Sequence, residues 1–232
     1  MPSVQVPGFR PSTRGLHFPN AFPHVPNLEI ELPGGRAIPI GDAANGLCGG
    51  MAYAVRDLFE AGAAPPALTQ APGEGPLFEY LAERLLESFD LPLGPATYLR
   101  LMHPRLPDGD VAIVHGRAWR MVQQEWPAVR ADLDRGTLSP LGLVKAKSRN
   151  PADLGRNHQV LAWGYELEGT RLTLWLYDPN HPDDDDVTMR LDVGNPRRPT
   201  PVTCSRGDTV WCFFRTAYRF KDPWSVLAAL AR

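Results

Sequence analysis

From residue 48 the chain carries apolar side chains at helical spacing. Met51, Ala52, Val55, Leu58 and Phe59 follow Cys48 at the offsets of one helical face, and that face includes the cysteine. Arg56, Asp57 and Glu60 lie away from it, and Gly62 suits a C-terminal cap. A second stripe, Leu77, Leu81, Leu85 and Phe89, predicts a helix over 77–89, and Pro92 and Gly94-Pro95 separate it from a short helical run over 96–102. A further helix is expected over 119–133, with Gly136 ending it. The pattern then turns β-like, with strands expected at 141–146, 160–165, 172–177, 187–193 and 210–215 and a closing helix at 224–230. Helices first and strands second predict an α+β fold, a helical layer packed on a mostly antiparallel sheet.

Residues 1–45 read differently. Eight prolines interleave with Phe9, Phe18, Phe22 and Leu28, a density that blocks helix and central strand. The aromatics still favour burial, so this segment is expected as an extended arm packed on a single domain over 46–232, with a helical half (46–136) and a sheet half (137–232). Within the arm Leu28–Leu32 alternates like an edge strand before the turn Pro33-Gly34-Gly35.

Composition narrows the function classes. A net charge of -2 gives no basic footprint for nucleic acid, and no apolar run approaches the ~20 residues of a membrane helix. No membrane insertion is therefore expected. Three cysteines, Cys48, Cys204 and Cys212, are too few for a disulfide scaffold. With no visible signal peptide, a cytoplasmic location with reduced thiols is the expectation.

Cys48 is the chemically distinctive residue. It stands where a glycine-flanked loop, Asn45-Gly46-Leu47-Cys48-Gly49-Gly50, becomes a helix, and a helix start favours thiolate over thiol. Gly49 and Gly50 each cost up to ~1 kcal/mol in a helix relative to alanine. They mark either close approach by a ligand or tight packing against another element. A candidate base, His158, opens the strand Asn157–Tyr165, and Leu172–Tyr177 follows after a turn at Gly169. A turn centred on Glu168 sets residue 158 opposite residue 178, and a two-residue slip sets it opposite Asn180. Cys48 would be nucleophile, His158 general base and acid, and Asp178 or Asn180 the residue that orients the imidazole. The Cys48 backbone N–H and a nearby side-chain amide would stabilise an oxyanion.

Gly46-Leu47-Cys48-Gly49-Gly50-Met51 at a helix start, Asn157-His158-Gln159-Val160-Leu161-Ala162-Trp163-Gly164-Tyr165, and the strand end Tyr177-Asp178-Pro179-Asn180 resemble the papain-like cysteine peptidase superfamily. The likeness is closer to its bacterial double-glycine-peptidase-like branches than to papain itself. It implies a helical half and a sheet half meeting at a cleft. It also implies Cys48 as nucleophile, His158 as base, Asp178 as orienting residue with Asn180 in reserve, a peptide or protein substrate, and no cofactor. The family usually places an oxyanion glutamine six residues before the cysteine. Here that position is Asp42, whose carboxylate cannot donate, so Asn45 is the nearby amide that could substitute.

Other features carry blander readings. Asp183, Asp184 and Asp185 invite Ca²⁺ but lack the spacing of a loop site, so a solvated acidic loop is expected and no metal. Cys204 and Cys212 read as core thiols, His181 as a residue near the proposed site, and most tryptophans as core. The resulting expectation is a thiol hydrolase of peptide or amide bonds. An acyltransferase using the same site, or a non-catalytic module on the same fold, are the alternatives.

Overall fold

The computed structural model describes residues 2–23, 28–32, 36–41 and 46–232. Asp42, Asn45 and the expected turn at 33–35 lie outside those residues. The fold is α+β. Its main sheet runs antiparallel throughout in the order β10 (Cys212–Arg215), β4 (Ser139–Val144), β5 (His158–Glu168), β6 (Arg171–Tyr177), β7 (Thr188–Asp192), β8 (Val202–Cys204) and β9 (Thr209–Val210). β8 is a strand that the sequence pattern did not reveal, since its three residues show no sustained alternation.

The proline-rich arm does more than wrap the surface. Its β1 (Ser3–Gln5) pairs antiparallel with β5, opposite Gly164–Glu166, and Pro11–Arg14 forms a helical turn, α1, with proline at its start. Val6, Phe9, Leu16, Phe18 and Phe22 are buried in the same core as Leu47, Met51 and Leu85. Farther along, β2 (Leu28–Leu32) pairs with β3 (Arg36–Gly41) as a separate two-stranded sheet.

The helices follow the expected stripes with one correction. α2 (Cys48–Glu60) ends where Ala61 and Gly62 close the last turn, Gly62 at φ 66°. Its polar side was expected to face away from the core, yet Asp57 is fully buried and Arg56 nearly so. The reason is a second layer. α3 (Pro76–Ser88) covers that side and brings Arg84, fully buried, whose Nη2 donates to Asp57 Oδ1 at 3.1 Å. Tyr80, Tyr218 and the Lys221 N–H donate to the same carboxylate, so the charge is satisfied by hydrogen bonds instead of water.

α4 (Leu93–Met102) follows α3. The expected 119–133 helix is a longer one, α5 (Arg117–Trp119) and α6 (Trp126–Asp134) joined by a π-helical turn at Arg120–Glu125. α6 and α2 both pack on β5, and α7 (Trp224–Leu230) packs on α3. Every residue of β4 and the first eight residues of β5 are buried, so these strands are covered on both faces. Those stretches read as nearly continuous apolar runs for that reason.

The β5–β6 hairpin carries a bulge that matters for the site. From Glu168↔Arg171 to Gly164↔Trp175 the pairing is regular, then Trp163 is passed over and Ala162 pairs with Leu176 and Leu161 with Tyr177. Continued to residue 158, the register after the bulge points at Asn180 and not Asp178. The chain leaves the sheet after Tyr177, however, and side-chain direction rather than register decides which residue reaches His158.

Candidate active site

Cys48 is the first residue of α2, with Leu47 as its N-cap and no side chain capping the turn. Its N–H is one of the helix-start donors without an intrahelical acceptor. Both following glycines mark close packing of two elements. A Cβ on Gly50 would sit 2.0 Å from the Leu81 carbonyl oxygen of α3, and one on Gly49 would lie 2.3 Å from Ser88 Oγ and 2.8 Å from the Gln159 amide. Of the two readings open to these glycines, helix-on-helix contact is the one present. It presses the start of α2 between α3 and the first residues of β5.

His158 is the first residue of β5 and is buried. It pairs across the sheet with Leu143, and its carbonyl accepts from Tyr98 Oη at 3.3 Å. Its Nε2 lies 2.7 Å from Asp178 Oδ1, which also accepts the Asn180 N–H at 2.8 Å. With Nε2 so engaged, Nδ1 is the ring nitrogen left to face the thiol, and His158 acts on Cys48 through its charge and hydrogen bonding. Asn180 contributes its backbone N–H, while its side chain turns to Asn20.

The electrostatics of the three groups are coupled. Burial alone would raise the Cys48 thiol, but the His158 charge and hydrogen bond, with the N–H groups of Gln159 and Gly49, bring it below its ordinary 9.0. Burial alone would likewise lower His158. The charges of Asp178 and Cys48, with their hydrogen bonds, instead raise it to about 10. Asp178 is held below its ordinary 3.8, because the imidazolium and the Asn180 N–H outweigh its burial. All three shifts favour a thiolate–imidazolium pair backed by a carboxylate. The other two thiols go the opposite way: burial pushes Cys204 up to about 11 and Cys212 up to about 12.

Three residues that sequence reasoning did not assign support this arrangement. Asn20, from the arm, accepts the Leu47 N–H at 2.6 Å, donates from Nδ2 to Asn180 Oδ1 at 3.1 Å, and donates its own N–H to the Pro179 carbonyl at 2.9 Å. It therefore ties the residue before the nucleophile to the turn that carries Asp178. A Cβ on Gly46 would fall 2.1 Å from the Asn20 amide, so that position, at φ 80°, accommodates glycine alone. Gln159 lies on the buried side of the helix start, donating from Nε2 to Ser88 Oγ at 3.0 Å, and Ser88 in turn donates to the Leu85 carbonyl. No local signal marks Asn20 as part of the site, because its partners lie 27 and 160 residues away.

A cavity of about 30 Å³ adjoins the thiol, lined by Gly46, Cys48, Leu85, Phe89, Tyr98, Leu154, Gly155, Asn157, His158 and Gln159. That is room for about one water molecule. The backbone of β3 lies against the 3₁₀ turn Pro151–Arg156 that supplies Leu154 and Gly155 to this wall.

The acidic run is engaged elsewhere. Asp183 pairs with His17, Asp184 with Arg206, and Asp185 accepts from the Ser12 N–H and Oγ, so the three carboxylates do not converge. His181 lies close to the site. Ligand atoms of Asp178, His181 and Asp208 fall within 4.8 Å of one another, a spacing a divalent ion could span. Lys145 Nζ holds Asp208 Oδ1 at 2.7 Å and His158 Nε2 holds Asp178 Oδ1 at 2.7 Å, so a cation there would compete with two cationic partners for these carboxylates.

No helix among the described residues is long and apolar enough to cross a membrane. Comparison with protein-family models, curated proteins and solved structures gives no match for this chain.

Proposed function

We propose that this protein is a papain-like thiol hydrolase that cleaves a peptide or amide bond through an acyl-thioester on Cys48. The observation that carries the reading is the relay from Cys48 at a helix start, through His158, to Asp178 Oδ1 at 2.7 Å from His158 Nε2. Similar order along the chain, a cysteine on the first long helix with histidine and aspartate at strand ends, supports the papain-like assignment.

The chemistry follows from the charges. The Cys48 thiolate adds to the carbonyl carbon, and the oxyanion that forms is stabilised by the Cys48 N–H at the helix start. His158, already an imidazolium, gives its Nδ1 proton to the departing amine as the C–N bond breaks. A water molecule then adds to the thioester, returning a proton to His158 and releasing the acid and the thiolate. Asp178 remains ionised throughout and holds the ring.

A blocked amino-acid nitrophenyl ester tests this directly. Native protein should release about one equivalent of nitrophenol in a burst and gain the acyl mass on Cys48, and Cys48→Ala should do neither. Absence of both burst and adduct on native protein would set the hydrolase reading aside. One observation favours a second reading, a binding module whose relay is not productive: the cavity beside the thiol, at about 30 Å³, is far below the volume of an ordinary ligand pocket.

A further inference from the structure

The loop between α4 and α5 carries an apolar tip that neither the core nor the site uses. Val111 and Val114 exchange both backbone hydrogen bonds, at 3.1 and 2.9 Å, and Ala112 takes φ 52°, so residues 111–114 form a tight turn. Ile113 at its summit is 96% exposed, Val111 60% and Val114 48%. Single exposed apolar residues are ordinary, but three on one tip are not.

The tip is braced. Asp110 accepts the Gly116 N–H at 3.0 Å, lies 2.9 Å from the His115 ring nitrogen, and donates its own N–H to the Arg197 carbonyl at 2.7 Å. Behind it Arg117, fully buried, donates to the carbonyls of Leu101 and His103 and to Asp108. Asp108 also holds Lys147, whose Nζ sits 3.5 Å over the ring of Trp211, itself 37% exposed. An aliphatic summit and an amphipathic indole thus share one end of the molecule.

The same end is cationic on a chain of net charge -2. Arg105, Arg197 and Arg198 are exposed, and none has a carboxylate partner among the described residues. A second copy seated here would bring these cations together, which disfavours self-association. An exposed apolar tip with exposed arginines on neighbouring segments instead matches a surface that is apolar inside and anionic outside.

We propose that this end of the molecule docks on an anionic lipid surface. Ile113 and its valine neighbours enter the acyl boundary, Trp211 sits at headgroup depth, and Arg105, Arg197 and Arg198 meet lipid phosphates. No helix needs to cross the bilayer for this. The proposal is independent of the chemistry at Cys48.

Cosedimentation with phosphatidylglycerol/phosphatidylcholine vesicles and with phosphatidylcholine alone tests it. The full chain should bind the anionic vesicles, weakly at high salt, and bind the neutral ones little. Ile113→Asp and the pair Arg197→Gln/Arg198→Gln should each weaken binding by about tenfold or more. Because these side chains are exposed, thermal unfolding of the variants should overlay the native curve. No binding to anionic vesicles, equal binding to both kinds, or unchanged binding by Ile113→Asp overturns the proposal. So does a native dimer in light scattering that Ile113→Asp dissolves, since the tip would then serve a second copy.

Discussion

Nε2 of His158 lies 2.7 Å from Oδ1 of Asp178, and that contact fixes which ring nitrogen faces Cys48. The hairpin register would have placed Asn180 opposite His158. The strand stops at Tyr177, and the Asp178 side chain takes the position while Asn180 is reduced to a backbone donor.

Stability should depend on pH through this pair with two opposite signs. His158 is raised from 6.5 to about 10, so its contribution is complete below 6.5 and is lost as pH rises through about 10. Asp178 is lowered from 3.8, so its contribution is complete above 3.8 and is lost as pH falls through its folded value. Asp178→Asn should therefore lower the melting temperature most between about pH 4 and 6.5, with the gap narrowing on either side. A pH series of melting curves for native protein and variant measures this directly.

Asn20→Ala should loosen the helix start without touching the relay. Losing its side-chain bonds to Leu47 and Asn180 is expected to cost about 1–2 kcal/mol in urea unfolding. Alkylation of Cys48 should also slow, because the residue before it is no longer tied to the turn that holds Asp178. A loss of stability with unchanged alkylation would assign Asn20 to folding alone.

Gly50→Ala separates packing from propensity. On helix propensity alone the substitution should stabilise by up to ~1 kcal/mol. The new Cβ would meet the Leu81 carbonyl oxygen at 2.0 Å, a backbone atom that cannot swing aside, so a destabilisation of about 1–3 kcal/mol is expected instead. Urea midpoints at constant slope give the sign.

Asp57→Ala should be more damaging than any change at the site. It leaves the buried Arg84 guanidinium with only the half-exposed Glu87 carboxylate and the Arg219 carbonyl, and removes the acceptor of Tyr80, Tyr218 and the Lys221 N–H, at a cost of about 3–5 kcal/mol. The double variant Asp57→Ala/Arg84→Met should recover part of that loss, which a double-mutant cycle would quantify.

Much of this was legible in the sequence because the signals are local. Helical stripes placed α2 and α3 within a residue or two, and turn chemistry placed the β5–β6 hairpin. What was not legible depends on distant partners. Asp57 looks like a surface residue until α3 and the segment after β10 cover it. The prolines of the arm concealed β1, which pairs only because β5 outruns β4. The bulge at Trp163 is marked in the sequence only by the strand glycine Gly164, and the role of Asn20 follows from contacts across the whole chain.

The most direct measurement is the rate at which iodoacetamide alkylates Cys48, followed by mass across pH, in native protein and His158→Ala. The lowered Cys48 and raised His158 should give a rate that climbs below pH 9.0 and stays on a plateau until His158 loses its proton near pH 10. In His158→Ala burial acts without the imidazolium, so the rise should move to pH 9.0 or above. A native thiol that reacts only above pH 9.0, or one whose profile ignores the loss of His158, would contradict a thiolate–imidazolium pair at this site.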